Sequence, residues 1–369
     1  MDKKGKRLNC KVSIITVSFN SVKTIEQTIK SVINQTYKNI EYILLDGAST
    51  DGTQQIIEKY KDRISYYVSE KDSGLYYAMN KGIEIATGDI VGIINSDDWY
   101  AQDAVQSVID SFQQDEPDLV YGKIICVSSD GTERIVRKTP LDKIWYSMAV
   151  SHPSVFVKKK IYNEFGTFNT NYKCAADYEL MLRFFSVNLT FRYIDKVIAY
   201  FRLGGITTTR FDESRAEAYK ISMSYMDKCP YKDKAIIEIK EHHKWLCFAN
   251  VVENDGNIIC NLLRKNLADD IKSIIIFGIG IWGERCYEAL LQSDIAVAFF
   301  ADNNSSRWNT QFHDTYIIKP SELKNMDAYV LIAVKEHGNE IKEQLNRMEN
   351  DALKCVTINE LMKMYWNRR

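Results

Sequence analysis

Proline is scarce, five in 369 residues, and the 17 glycines form no low-complexity stretch, so neither a linker-type nor a fibrous chain fits. Neither sign of charge dominates. The 48 Lys and Arg stand against 49 Asp and Glu, which excludes a strongly basic nucleic-acid binder and leaves room only for a local patch. The cysteines, Cys10, Cys126, Cys174, Cys229, Cys247, Cys260, Cys286 and Cys355, include no Cys-x-x-Cys and no Cys/His pair at zinc spacing. A chain this long needs no covalent staples, so reduced thiols in a cytoplasmic protein are expected. No apolar run approaches the roughly 20 residues of a membrane span. The most apolar, Ile274–Ile281 and Ile295–Ala301, have the length of core strands. The Lys-rich start, Met1 to Arg7, runs into a segment broken by Lys11 and Ser13, so no signal peptide is expected. No solenoid period is visible. What is present is ordinary globular material, 45% apolar and 26% charged, long enough for two domains. Aromatics reach 12%, with 22 tyrosines, which suits stacking on bases or sugars and equally a core with a Tyr-rich surface.

Strand and helix patterns alternate from Lys11 to about Trp99. The spacing predicts strands over Val12–Phe19, Glu41–Leu45, Ile64–Val68 and Ile90–Ile94, with helices over Val22–Gln35, from the Asp46–Thr53 turn to Tyr60, and over Leu75–Ala86. Such alternation predicts a mostly parallel α/β sheet with helices on both faces and ligands beyond the C-terminal strand ends. The polar clusters at Asn20, Asp46–Asp51 and Asn95–Asp98 all fall at those ends. Farther on, Leu119–Val127 and Glu133–Val136 read as a hairpin closed by Ser129-Asp130-Gly131. Ser154–Val157 and Thr190–Phe201 read as strands around a helix at Ala176–Phe185. The pattern is helical and polar over 211–270, and a second, smaller α/β alternation begins at 271, with strands at Lys272–Phe277, Ala296–Phe300 and Tyr329–Val334. The expected organisation is therefore 1–210, a helical bridge at 211–270, and a Rossmann-like unit at 271–369.

Four constellations carry candidate chemistry. Asp97-Asp98 ends an apolar strand, where two adjacent carboxylates need a hard divalent cation or a ring of donors, unless they form a solvated turn. In Asp46-Gly47-Ala48-Ser49-Thr50-Asp51-Gly52-Thr53, helix capping accounts for Ser49 to Thr53 but not for Asp46. Asn80 and Lys81, in Asp72-Ser73-Gly74-Leu75-Tyr76-Tyr77-Ala78-Met79-Asn80-Lys81-Gly82, are placed to face a diphosphate, while Tyr76 and Tyr77 suit a core pair as well as a site. Asp177, after Ala175-Ala176, falls at a helix N-terminus. That position stabilises a carboxylate and suits a base that stays ionised.

Val12–Asn20, Asp46–Thr53, Ala78–Gly82, Gly88-Asp89, Asn95–Asp98 and Ala176-Asp177 occur in an order and spacing that resembles glycosyltransferase family 2, which has the GT-A fold. The variant is most similar to members that build capsule, lipopolysaccharide or exopolysaccharide, and the resemblance covers about Lys11 to Arg210. It implies an inverting transfer from a nucleotide-diphospho-sugar, often UDP-linked, to a saccharide or lipid-linked acceptor hydroxyl. It also implies a divalent metal, Mn²⁺ or Mg²⁺, held by Asp98, with Asp97 near the donor ribose or sugar and Asp177 as general base. Thr16, Val17, Asn20 and Asp46 match the nucleotide pocket, and His152 an acceptor-side turn. Two departures stand out: many members carry a base-contacting Asp where this chain has Gly47, and Ala-Arg-Asn where it has Ala78-Met79-Asn80. Lys81 or Arg202 is then left to supply positive charge at the phosphates, and Gly204-Gly205-Ile206-Thr207 has the composition of a closing loop.

Gly278-x-Gly280-x-x-Gly283, with Asp302 about 20 residues on, resembles a dinucleotide-type turn and marks a second candidate nucleotide site or an assembly module. The alternatives are a non-catalytic scaffold, which intact Asp97, Asp98 and Asp177 disfavour, and a sugar-nucleotidyltransferase. The latter needs a basic Gly-rich loop after the first strand, where Ser18-Phe19-Asn20-Ser21-Val22 stands instead. No nucleic-acid partner is expected. Work at the inner face of the cytoplasmic membrane, through Lys3, Lys4, Lys6 and Arg7, and homo-oligomerisation are left open.

Overall fold

The structure, a computed structural model, describes residues 10–128, 131–136, 138–205 and 210–367. The basic start, the hairpin residues Ser129-Asp130 and the loop residues Ile206-Thr207 lie outside the described residues. The chain divides into two compact units, one ending at Ile239 and one starting at Lys240.

The first unit is an α/β layer structure. Its strands are β1 (Val12–Ser18), β2 (Ile40–Asp46), β3 (Tyr66–Ser69), β4 (Ile90–Asn95), β5 (Trp99–Tyr100), β6 (Leu119–Val127), β7 (Glu133–Ile135), β8 (Phe156–Lys158) and β9 (Phe191–Arg202). They run in the order β3-β2-β1-β4-β8-β6-β9-β5, with β7 paired to β6. The half β3-β2-β1-β4 is parallel throughout. Beyond it β8 is antiparallel to both neighbours, while β6 and β9 run parallel. β1 is buried on both faces, as a central parallel strand must be. Val12 and Ile14 face one core with α1 (Ile25–Ile33) and, farther along the sheet, α4 (Ala104–Asp115). Ile15 and Val17 face the other, with α3 (Leu75–Ile85) and α6 (Ala176–Ser186). Two shorter helices are α2 (Thr53–Glu58), which follows the β2 loop, and α5 (Lys159–Phe165), which follows β8; Asp51 accepts from the Thr53 amide and hydroxyl, as the capping pattern predicts.

The expected strand at Ser154–Val157 starts later. Pro153 has no N–H to give a ladder and instead opens a 3₁₀ turn, His152–Ser154, before β8. The polar helical stretch 211–270 is shared between the units. Ile221, Met226, Ala235 and Ile239 pack into the first core, and Phe248, Val252 and Leu263 into that of the second unit. The helix Lys232–Asn254 carries the division.

The second unit holds β10 (Ser273–Phe277), β11 (Ala296–Ala301), β12 (Gln311–Phe312), β13 (Thr315–Ile318), β14 (Ala328–Ile332) and β15 (Leu353–Thr357), in the order β12-β13-β11-β10-β14-β15. All its pairings are parallel except β12 with β13. No disulfide forms among the described residues.

Candidate active site

Parallel pairing puts the C-terminal ends of β2, β1 and β4 side by side: Ser18 is opposite Asp46, and Val17 opposite Asn95. The loops that leave these ends form one edge, and each contributes polar groups.

Asp46 is only 3% exposed, and its carboxylate is fully engaged. It accepts from the Ser49 hydroxyl at 2.5 Å, the Ser49 amide at 2.9 Å and the Ser69 hydroxyl at 2.6 Å. Asn20, in a left-handed turn with φ 48°, joins that loop: its amide donates to Ser49 Oγ and its Oδ1 accepts from the Thr50 amide. Asp46 and Asn20 therefore shape the loop over the strand ends. Thr16 and Val17, expected to contact donor, are core residues; Tyr42 donates to the Thr16 hydroxyl inside the sheet. Beside Asp46 a cavity of about 180 Å³ is lined by Glu70, Asp72, Tyr77 and Lys81. Lys81 faces this cavity but is ion-paired with Glu70. Asn80 points elsewhere: its side chain brackets the Phe168 backbone, donating to O at 2.8 Å and accepting from N at 2.9 Å. Met79 is buried and offers no charge.

At the end of β4, Asp98 is 1% exposed, and its Oδ1 accepts from the Arg202 amide at 2.9 Å. Its Oδ2 is buried without a hydrogen-bond partner. Burial, then the neighbouring Asp97 charge, pushes the Asp98 carboxyl well above the ordinary carboxylate range. Asp97 is half-buried and is also raised by burial, with Arg202 acting against the shift. Arg202 donates from Nε to the Asp97 carbonyl at 3.2 Å, while its guanidinium lies over the Trp99 ring, which stacks on Tyr200. Gly205 follows closely, so that a Cβ there would sit 3.4 Å from Asp97 Oδ2. The two acids differ in setting on this geometry. An ion shared with substrate phosphates needs a ligand that opens to the ligand side. Asp98 is sealed and holds the β9 end; Asp97 is the open carboxylate.

Asp177 lies in the first turn of α6. Its Oδ1 accepts from the Tyr178 amide at 2.9 Å, with the Tyr76 hydroxyl at 3.5 Å. Burial raises its carboxyl, and His152 and these donors oppose the shift. His152 couples electrostatically to Asp177 but is itself lowered by burial, so its ring stays neutral at neutral pH. The His152 and Tyr76 rings both pack on Phe168, the residue that Asn80 fixes. α3 thus connects the two parts of the edge: Tyr76 reaches Asp177, and Tyr77, Ala78 and Lys81 line the cavity beside Asp46. A base at this position acts in its ionised form, so with Asp177 in that role the transfer rate would rise with pH along a limb displaced above the ordinary aspartate range. A profile between about pH 4 and 8 measures it.

One contributor carries no local sequence signal. Glu217, on the helix Phe211–Ser224, accepts from the amides of Lys173, Cys174 and Ala175, the three residues that lead into α6. Tyr178 is fixed in the same way, its hydroxyl donating to the Ile144 carbonyl and hydrogen-bonded to Ser222.

In the second unit, the glycine turn follows β10. Gly278 has φ +99°, and a Cβ on Gly283 would lie 2.0 Å from the Gly278 carbonyl, so both glycines are required by the turn itself. Nothing lies within 4 Å of a Cβ on Gly280. Asp302 accepts from the Ile279 and Asn304 amides and pairs with Arg307 at 3.6 Å.

Residues 13–181 match the family model for glycosyl transferase family 2, and residues 270–356 that for the C2185-like N-terminal domain. A PGL/p-HBAD biosynthesis glycosyltransferase of Mycobacterium tuberculosis is 30% identical over 208 residues, 54% of this chain and 80% of the relative. The chain belongs to glycosyltransferase family 2. The enzyme is also 28% identical to Escherichia coli WfaP, a UDP-Glc:alpha-D-GlcNAc-diphosphoundecaprenol beta-1,3-glucosyltransferase, over 64% of this chain and 90% of that one. Its fold is that of S. aureus TarS 1-349 in complex with UDP-GlcNAc, with TM-score 0.52 and 19% identity over 63% of this chain and 72% of TarS 1-349. It spans 43% of the longer TarS chain. The mannosyltransferase PcManGT from Pyrobaculum calidifontis, in complex with GDP-Man and Mn2+, matches with TM-score 0.50 and 18% identity over 64% of this chain and 72% of that one. This family 2 glycosyltransferase therefore has a GT-A catalytic fold followed by a second α/β unit.

Proposed function

We propose that the enzyme moves a sugar from a UDP-linked donor to a hydroxyl of a saccharide carried on a lipid diphosphate, with inversion, in the synthesis of a bacterial surface polysaccharide. The observation that carries this reading is the separation of two kinds of carboxylate. Asp97 and Asp98 crowd the end of β4 with Arg202, while Asp177 lies on α6 with Tyr76 and His152. The WfaP name supports the donor and acceptor classes.

Asp177 takes the proton of the acceptor hydroxyl as its oxygen bonds to the anomeric carbon. The bond from that carbon to the diphosphate oxygen breaks on the opposite face, and its electron pair leaves with the nucleoside diphosphate. A single displacement inverts the centre. Arg202 holds the Asp97 backbone in place, and Asn80 holds Phe168 against Tyr76 and His152. A divalent cation fits the β4 end, where two adjacent carboxylates, both raised by burial, share one nearby guanidinium and the half-buried Asp97 opens outward. Among the described residues no three His, Cys, Asp or Glu side chains gather to hold a metal ion. Held by Asp97, such an ion would stabilise negative charge on the leaving diphosphate.

For the second unit we propose a nucleotide-binding or assembly role at the Gly278–Gly283 turn. Among the described residues no helix is long and apolar enough to cross a membrane. The proposed lipid-linked acceptor is met at a membrane surface, where its lipid is anchored. The test is a panel of UDP-, GDP- and CDP-sugars with Mn²⁺, scored by release of nucleotide with and without a GlcNAc-diphosphate-lipid acceptor. Acceptor-stimulated release from a UDP-sugar is expected; no turnover with any donor overturns the reading.

A further inference from the structure

Position 47 is where the family resemblance puts a base-contacting acid, yet this chain has glycine there. The space that side chain would occupy is filled from another loop. A Cβ on Gly47 would lie 2.9 Å from Asp72 Oδ2 and 3.3 Å from the Phe19 ring. Asp72 belongs to the segment between β3 and α3. Its Oδ1 accepts from the Gly74 amide at 2.8 Å, which ties one oxygen to its own turn and directs the other at Gly47. Among the described residues no donor reaches Oδ2. The other acids of the cavity are spoken for: Asp46 accepts three hydrogen bonds and Glu70 holds Lys81. Phe19, 64% exposed, presents its ring beside Gly47.

We propose that Asp72 reads the base of the donor, with Oδ2 accepting the ring N–H of uracil while the base lies against Phe19. This rests on the nucleotide-sugar reading above and deepens it. An ionised carboxylate only accepts hydrogen bonds. Uracil offers N–H at ring position three; cytosine offers a lone pair there, so a CDP donor would face two acceptors with no proton between them, and that mismatch is costly. Delivery of the acid from a second loop also makes positions 47 and 72 mutually exclusive, because an acid at both would clash and repel.

Binding of UDP and of CDP, each with Mn²⁺, is measured by calorimetry on the full chain and on Asp72→Asn, Gly47→Asp and the double variant Gly47→Asp/Asp72→Ser. The wild type should favour UDP by roughly tenfold or more. Asp72→Asn, whose amide both donates and accepts, should bring the two within about threefold. Gly47→Asp should lose binding of both, and the double variant should regain UDP with its preference. An unchanged UDP/CDP ratio in Asp72→Asn overturns the assignment, as does a double variant no better than Gly47→Asp, or GDP binding more tightly than UDP. Thermal midpoints without nucleotide separate misfolding of Gly47→Asp from lost recognition, and Asp72→Asn, on an exposed loop, carries the test alone if Gly47→Asp unfolds. If the wild type binds no nucleotide, the nucleotide-sugar reading falls too; binding without dependence on Asp72 sinks only this inference.

Discussion

Asp177→Asn should lower transfer by about 10²- to 10⁴-fold, the range a positioned general base supplies, while donor binding stays within about twofold of the wild type. The amide is the same size and still accepts from the Tyr178 amide, so α6 keeps its start. What it loses is the capacity to take a proton. Stability should move the other way. Asp177 has a folded-state pKa above its unfolded value, because burial disfavours the charge. A group raised in this way contributes stability below its unfolded pKa and loses it as pH rises through the folded value. At neutral pH the ionised carboxylate is therefore a net cost, and Asp177→Asn should unfold at a higher temperature than the wild type. Steady-state kinetics with a thermal melt at neutral pH checks both. A variant that still transfers at near the wild-type rate reduces Asp177 to a helix cap.

Asp97→Ala should abolish the stabilisation by Mn²⁺ in a thermal shift and cut turnover on the order of 10³-fold, the scale of several kcal/mol of charge stabilisation at the leaving group. Asp98→Asn should keep most of the Mn²⁺ shift, since its oxygen still accepts from the Arg202 amide and the side chain faces inward. The pair separates two roles that adjacency in sequence conceals. A shift lost in Asp98→Asn but kept in Asp97→Ala would return the ion to Asp98.

The parallel half of the sheet was legible because its strands are short β-branched runs separated by amphipathic helices, and burial on both faces of β1 is what such runs require. The polar clusters at strand ends were legible for the same reason. What one sequence could not disclose is which way each polar side chain turns. Asp97 and Asp98 read alike, yet a backbone amide from β9, more than a hundred residues later, draws Asp98 inward. Asn80 and Lys81 adjoin on α3, yet a helix turns them to different neighbours, one to Phe168 and one to Glu70. Thr16 sits in a strand buried on both faces, so either phase of the strand places it in a core. Asp72 heads the Asp72–Gly82 run and Glu217 lies in no motif, and each acts on a segment distant in sequence, a pairing that only the fold brings about.

The Glu217 clamp bears on modularity. The family match ends at residue 181, within the helix that carries Asp177, and the sheet is completed by β9, so a catalytic module cut after that strand would stop near residue 210. Such a fragment would retain Asp97, Asp98, Asp177 and Arg202, but the three amides ahead of α6 would lose the carboxylate that gathers them. The smallest transplantable piece of this enzyme is thus set by a support outside its motifs, and chimeras joined before that helix inherit the reactive groups without the brace that orients one of them.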